Sequence, residues 1–161
     1  SVNDAFYLIG GIFFLGTSFS LFSLLRSTGL TYVIYLLLIS MITDTYAYIT
    51  GMLIGRHKLL PDVSPKKTWE GSIGGTVMGT IVGVTYYMTV IDPFVSPAGI
   101  ILTTVFLSIV GQFGDLVFSS IKRYFGKKDF SNIMPGHGGI LDRLDSVIFI
   151  VLGFMFFMNI L

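Results

Sequence analysis

Charged side chains are confined to a few short segments of this chain, and long apolar runs separate them. A helix needs roughly 20 apolar residues to cross about 30 Å of hydrocarbon. Four runs reach that length, and the fifth covers only about 24 Å unless its helix begins near Ile140. The five runs are Ala5–Leu25, Leu30–Gly55, Gly71–Ile91, Ala98–Ile121 and Ser146–Leu161. The pattern predicts an all-α fold, a polytopic membrane bundle with about five transmembrane helices.

The composition agrees with a membrane protein and excludes several kinds of site. Charged residues make up 12% of the chain, whereas soluble domains are roughly 25% charged. The net charge of +1 gives no reason to expect a nucleic acid partner. The chain contains no cysteine, which excludes disulfides, thiolate metal ligands and cysteine nucleophiles. The expected surrounding is a lipid bilayer.

The distribution of basic residues predicts how the helices are oriented. Nine of the ten Lys and Arg fall within residues 56–70 or 122–145, and residues 92–97 contain none. Both basic segments lie on one side if all five apolar runs span, and cytoplasmic loops carry the excess of Lys and Arg. We therefore expect an integral membrane protein whose two basic segments, and the active site that they form, face the cytoplasm. The membrane that we expect is a bacterial inner membrane.

Four glycines repeat at every fourth position of the third apolar run: Gly71, Gly75, Gly79 and Gly83. This spacing lines one helix face with small residues, which lets another helix approach closely. We favour packing within the chain, and a homodimer contact is the alternative.

Two carboxylates, Asp44 and Asp115, interrupt otherwise apolar runs. A carboxylate near the bilayer centre costs on the order of 3 kcal/mol, and such acids are functional candidates by default. The alternative for Asp115 is a hydrogen bond between helices. For Asp44 it is a hydrogen bond with Tyr48, which lies on the same helix face four residues later.

A dense polar cluster spans residues 119–145, where cations, acids, His137 and a glycine-rich stretch lie between two apolar runs. Glycines let backbone N–H groups approach phosphate oxygens, and His137 could donate to a phosphate. Asp142 and Asp145 would share a helix face and, with Asp115, could supply oxygen ligands for Mg²⁺. The alternatives are basic residues that anchor the interface and acids that favour a helix N-terminus.

The cluster closely resembles the signature of the phosphatidate cytidylyltransferase (CDP-diacylglycerol synthase) family. That signature reads S-x-φ-K-R-x4-K-D-x-small-x2-φ-P-x-H-G-G-φ-x-D-R-φ-D, where φ is apolar; Met134 stands where Leu, Ile or Phe is usual. A second block is also similar: Asp44-x-x-Ala47-Tyr48, Gly51, Gly55 and Ser64-Pro65-Lys66-Lys67-Thr68-x-Glu70-Gly71. Members are usually longer, so the resemblance implies that residues 1–161 form one catalytic domain, the C-terminal part of a longer protein.

The resemblance implies transfer of CMP from CTP to phosphatidic acid, with Mg²⁺ as the cofactor and a second cation left open. The expected catalytic residues are Asp115, Asp142, Lys122 and Arg123, and the expected metal ligands are Asp115, Asp142 and Asp145. The expected substrate-binding residues are Asp44, Ser64, Lys66, Lys67, Thr68, Glu70, Ser119, Lys128, His137, Gly138, Gly139 and Arg143. From the residues themselves, segment 64–70 also suits an interfacial anchor, with Trp69 at headgroup level and Thr68 as an N-cap.

Three other functions are compatible with parts of this pattern. A CDP-archaeol synthase or a CTP-dependent polyprenol kinase is the nearest alternative, and a kinase would release CDP instead of pyrophosphate. An ion-coupled transporter would also explain acids within the membrane. It would not explain a basic, glycine-rich segment, and no matched pair of broken helices suggests a transporter repeat.

Overall fold

The computed structural model of the chain describes residues 2–127, 130 and 140–157, and within them the architecture is almost wholly helical. The helices are α1 (Val2–Thr28), α2 (Leu30–Ile54), α3 (Trp69–Tyr86), α4 (Pro97–Tyr124) and α5 (Ile140–Phe157). A single π-helical turn, Tyr87–Ile91, extends α3. Two short strands, β1 (Lys58–Leu60) and β2 (Ser64–Thr68), form an antiparallel hairpin between α2 and α3.

Among the described residues, four helical segments are long and apolar enough to cross a membrane, judged by length and composition: Ala5–Thr28, Leu30–Ile54, Trp69–Ile91 and Pro97–Tyr124. The described part of the fifth helix is Ile140–Phe157, and its apolar part, Leu144–Phe157, is shorter. The prediction of an all-α membrane bundle is confirmed, and the protein is an integral membrane protein.

The β-hairpin was not predicted. Its second strand reads Ser-Pro-Lys-Lys-Thr, which lacks the alternation of apolar and polar residues typical of a strand with one buried face. Pairing joins Lys58 to Thr68 and Leu60 to Ser64. The hairpin therefore presents a short basic strand next to the ends of the long helices.

The glycine face of α3 packs against α2. All four glycines are buried, and a Cβ built at Gly75 would lie 2.5 Å from the carbonyl oxygen of Thr43. At Gly71 it would lie 2.5 Å from that of Ala47. Packing within the chain, the favoured explanation of the glycine repeat, is thus confirmed, and it brings the start of α3 close to the face of α2 that carries Asp44.

Buried polar pairs join α2 to α4 inside the bundle. The hydroxyls of Tyr35 and Thr104 are 2.7 Å apart, and those of Thr43 and Ser108 are 2.8 Å apart. Hydrogen bonds between membrane helices contribute about 0.6 kcal/mol each on average. Their main effect here is to fix how far α4 is shifted along α2, and this shift sets the position of Asp115 along the bundle axis.

Candidate active site

A cavity of about 350 Å³ lies where the hairpin meets α2, α4 and α5. Eight residues that the sequence predicted as site residues line it: Asp44, Ser64, Lys66, Lys67, Thr68, Asp115, Asp142 and Asp145. Ala47, Tyr48, Leu59, Ser72 and Gln112 complete the lining. The two sequence blocks, which are far apart along the chain, therefore meet at one polar cavity.

Lys67 and Asp115 connect the hairpin to α4 within this cavity. The Nζ atom of Lys67 lies 2.5 Å from Oδ2 of Asp115, in an ion pair rather than a well-aligned hydrogen bond. Ser119, one turn further along α4, donates its hydroxyl to Oδ1 of the same carboxylate at 3.2 Å. Asp115 thus has a cationic partner from the hairpin. The alternative given for this residue was a hydrogen bond to another helix.

Thr68 joins the hairpin to the start of α3. Its Oγ1 accepts a hydrogen bond from the backbone N–H of Gly71 at 3.1 Å, so the expected N-cap is confirmed. A Cβ at Gly55 would lie 2.7 Å from that oxygen, and one at Gly51 would lie 3.0 Å away. Because only glycine leaves this space, Gly51 and Gly55 allow Thr68 to sit against the end of α2.

Asp142 pairs with Lys122 beside the cavity. Nζ of Lys122 donates to Oδ1 of Asp142 at 2.8 Å, and the two side chains are only 12% and 7% exposed. Oδ2 accepts from the backbone N–H of Phe130 at 3.0 Å, and the ammonium lies 5.3 Å from the centre of the Phe130 ring. Lys122 therefore neutralises Asp142, whereas the sequence had suggested a phosphate clamp.

Arg123 contacts the tip of the hairpin and does not line the cavity. Its Nε donates to the carbonyl oxygen of Val63 at 3.3 Å, and its Nη1 donates to that of Lys127. The contact places the end of α4 beside the hairpin. The described parts of both basic segments, residues 56–70 and 122–127, therefore lie at the same end of the bundle, as the charge pattern predicted.

Glu70 also lies outside the cavity lining. Its Oε1 is 2.6 Å from Nδ1 of His57, and its carboxylate accepts from the backbone N–H groups of Arg56 and His57. No sequence pattern indicates His57 as a site residue, because an isolated histidine thirteen positions before a glutamate gives no periodic signal.

The remaining acids of the cavity come from the membrane helices. Asp145 is 8% exposed, and its Oδ1 accepts from the backbone N–H of Ser146 at 2.7 Å. Asp44 lines the cavity from α2.

Gln112 is a cavity residue that was not predicted from the sequence. It lines the cavity and donates from Nε2 to Oγ1 of Thr76 at 2.9 Å and to the carbonyl oxygen of Ser72 at 3.3 Å. These bonds join α4 to α3. A single amide in an apolar run is compatible with many packings, so no pattern in the sequence selected it.

The carboxylates suit Mg²⁺ in their chemistry. Among the residues that the structure describes, no group of three or more His, Cys, Asp or Glu side chains converges as a complete metal cluster. Mg²⁺, however, usually takes one or two carboxylates and completes its octahedron with waters and substrate phosphates. Asp115 and Asp142 border one cavity and fit that mode, and a magnesium site there stays a prediction.

Several predicted site residues lie outside the part of the chain that the structure describes. They are Lys128, His137, Gly138, Gly139 and the side chain of Arg143. Their roles stay predictions.

Comparison with known proteins identifies the family. Residues 2–161 match the sequence model of the cytidylyltransferase family. The chain belongs to that family. The resemblance found in the two motif blocks is thereby confirmed, and it extends over the apolar helices between them.

Curated relatives within the cytidylyltransferase family are similar along almost the whole chain. A phosphatidate cytidylyltransferase of Staphylococcus haemolyticus is 46% identical over 151 residues, which is 94% of this chain and 58% of that protein. Proteins of the same name from Staphylococcus epidermidis and Staphylococcus aureus are each 45% identical, with the same shares covered. The chain spans 58% of the length of these relatives.

Proposed function

We propose that this chain carries the catalytic site of an enzyme that transfers CMP from CTP to phosphatidic acid, giving CDP-diacylglycerol and pyrophosphate. One observation carries the proposal: basic residues of the hairpin and carboxylates of α2, α4 and α5 line the same cavity. Similar proteins named phosphatidate cytidylyltransferase support it. The site would face cytosolic CTP, an orientation supported by the excess of basic residues at this end.

The chemical step is a displacement at phosphorus. An oxygen of the lipid phosphate forms a bond to the α-phosphorus of CTP, and the bond from that phosphorus to the bridging oxygen of the β-phosphate breaks. Pyrophosphate leaves with the electron pair. A phosphomonoester has its second pKa near roughly 6, so the nucleophile is already anionic at neutral pH and needs no dedicated base.

Alignment and charge neutralisation are what the protein must supply. Lys66 and Lys67 line the cavity and would bind phosphate oxygens of CTP. Lys67 also contacts Asp115, so the nucleotide and the acid of α4 would be positioned together. Lys122 would hold the Asp142 carboxylate in place through their buried ion pair.

Asp115 and Asp142 are the residues that would hold Mg²⁺. When bound, the ion would neutralise phosphate charge and favour departure of pyrophosphate.

The position of the cavity suits a substrate that is part of the membrane. The cavity lies at the ends of apolar helices, so a lipid phosphate could enter it while the acyl chains remain in the bilayer. Tyr48 lines the cavity and is 60% exposed on α2.

The experiment uses membranes that contain the intact protein, with CTP labelled in its α- and γ-phosphates. The expected result is release of pyrophosphate, and label from the α-phosphate in lipid, only when phosphatidic acid is added. Release of CDP with a polyprenol acceptor would instead indicate the kinase, and a response to archaeol phospholipid alone would indicate the archaeol enzyme. Asp115→Asn is the control for activity from other proteins in the membrane.

A further inference from the structure

The carboxylate of Glu70 joins the end of α2 to the start of α3. Its Oε1 lies 2.6 Å from Nδ1 of His57. Its two oxygens accept from the backbone N–H of Arg56 at 3.2 Å and from that of His57 at 3.3 Å. In addition, the backbone N–H of Trp69 donates to the carbonyl oxygen of His57 at 3.0 Å. We call this set of bonds the root contact, because it closes the open end of the hairpin.

The hairpin depends on such attachments for its position. A hairpin of two short strands is marginally stable by itself in water. Its tip is held by the bond from Arg123 to Val63, and its second strand is held by the ion pair of Lys67 with Asp115. The root contact is the attachment at the opposite end from the tip, and it adjoins the paired residues Lys58 and Thr68.

Neither member of the root contact borders the cavity. Asp115, Lys66 and Lys67 line it, whereas Glu70 and His57 do not. The side chain of His57 is 78% exposed and that of Glu70 is 23% exposed. An exposed ion pair contributes little to global stability. The short distance between Glu70 and His57, and the backbone N–H groups that donate to the same carboxylate, therefore point to a local role in holding the hairpin.

We propose that His57 and Glu70 are positioning residues. They hold the hairpin in the position in which Lys66 and Lys67 line the cavity. Glu70 then acts through the hairpin and does not touch substrate, in contrast to the substrate-binding role that the family resemblance implied. The effect on turnover rests on the proposed cytidylyltransferase function. The effect on the hairpin does not.

The first test measures motion of the hairpin directly. A single cysteine replaces Asp62, in the exposed turn between the strands, and carries a spin label; this chain offers no competing cysteine. His57→Ala and Glu70→Ala should each increase label mobility at position 62. A label at position 94, where Phe94 is 95% exposed between α3 and α4, should not respond and serves as the matched control.

A conservative variant separates the contact from mere loss of a side chain. His57→Asn keeps a nitrogen donor near the position of Nδ1, so it should restore the restricted mobility that His57→Ala loses. It also guards against misfolding, because a variant that restores the signal is folded. Unchanged mobility in both alanine variants would overturn the proposal.

The second test measures turnover of CTP by the intact protein. Small displacements of groups that position substrate lower rates by about 10-fold to 100-fold. His57→Ala and Glu70→Ala should each lower kcat/KM within that range, and the double variant should lose no more than the worse single one, because both break one contact. Loss of activity in Glu70→Ala, with His57→Ala fully active, would overturn the proposal and assign Glu70 to substrate. If the parent protein does not turn over CTP with phosphatidic acid, the proposed function fails, and label mobility still decides the role of the root contact.

Discussion

Lys67 of the hairpin and Asp115 of α4 form an ion pair inside the cavity, with Nζ 2.5 Å from Oδ2. The two side chains are 27% and 25% exposed and both line the cavity, although the Nζ atom of Lys67 is itself buried. Lys67 belongs to the block of residues 44–71, and Asp115 lies one helical turn before Ser119, where the other block begins. The pair therefore joins the basic and acidic halves of the candidate site.

Replacing Lys67 by Met removes this ammonium and keeps most of the length of the side chain. We expect kcat/KM for CTP to fall about 100-fold, equivalent to roughly 2.7 kcal/mol of transition-state stabilisation. Lys66→Met is the matched comparison, because Lys66 lines the same cavity but has no ion pair among the described residues. Its loss should be nearer tenfold, about 1.4 kcal/mol. Equal losses in steady-state kinetics would mean that the contact with Asp115 has no special importance.

The ion pair of Lys122 and Asp142 should contribute mainly to stability. Both side chains are nearly buried, and removing one partner of a buried pair costs about 3–5 kcal/mol. Lys122→Met should lower the free energy of unfolding by that order, and the double variant Lys122→Met with Asp142→Asn should lose less, because it removes both charges of this pair together. Thermal unfolding in detergent measures both. A single variant as stable as the parent would return Lys122 to the role of a phosphate clamp.

The glycine face of α3 should not tolerate larger side chains. A Cβ at Gly75 meets the backbone of α2 at 2.5 Å, so Gly75→Val must push the two helices apart, at about 1–3 kcal/mol. Gly16→Ala is the control, because nothing lies within 4 Å of a Cβ at that position in α1. Unfolding in detergent should separate the two variants, and equal stability would contradict the close packing of α2 and α3.

Hydropathy and motif spacing predicted the membrane helices and the meeting of the two blocks. Both follow from simple rules: an apolar run must be helical to satisfy its backbone in lipid, and the two crossings made by α3 and α4 return the chain to the side on which the first basic segment lies. The partners of individual charges could not be predicted in this way. Lys122, Lys67 and Arg123 are long side chains on neighbouring elements, and which carboxylate or carbonyl each reaches depends on helix register.

The hairpin was missed for a related reason. Strand β2 contains a proline and two lysines, and its pairing is stabilised from outside, by the contact of Lys67 with α4 and by the root contact. Alternation of apolar and polar residues indicates a strand with one buried face, and β2 has no such alternation. The two lysines that line the cavity are also the reason why the sequence of β2 lacks the apolar alternation of a strand.

The proposed cation site can be tested without turnover. We expect binding of Mn²⁺ to the intact protein, measured by electron paramagnetic resonance in the absence of nucleotide, to weaken at least tenfold, about 1.4 kcal/mol, in Asp115→Asn and in Asp142→Asn. Asp92→Asn, at the other end of α3, is the control and should bind as the parent does. Unchanged binding in both cavity variants would remove these carboxylates from the predicted metal site.

Topology is the last and most general test, because catalysis on cytosolic CTP requires the hairpin and the end of α4 to face the cytoplasm. Single cysteines can be placed at the exposed positions Asp62, Phe94 and Lys127 of this cysteine-free chain. An impermeant thiol reagent outside intact cells should label position 94 and spare positions 62 and 127, which become reactive once the cells are opened. Labelling of 62 and 127 on opposite faces would contradict the 3.3 Å contact of Arg123 with Val63. Labelling of both from outside, with 94 protected, would leave the fold intact but place the cavity away from cytosolic nucleotide, and the proposed reaction would then have no source of CTP.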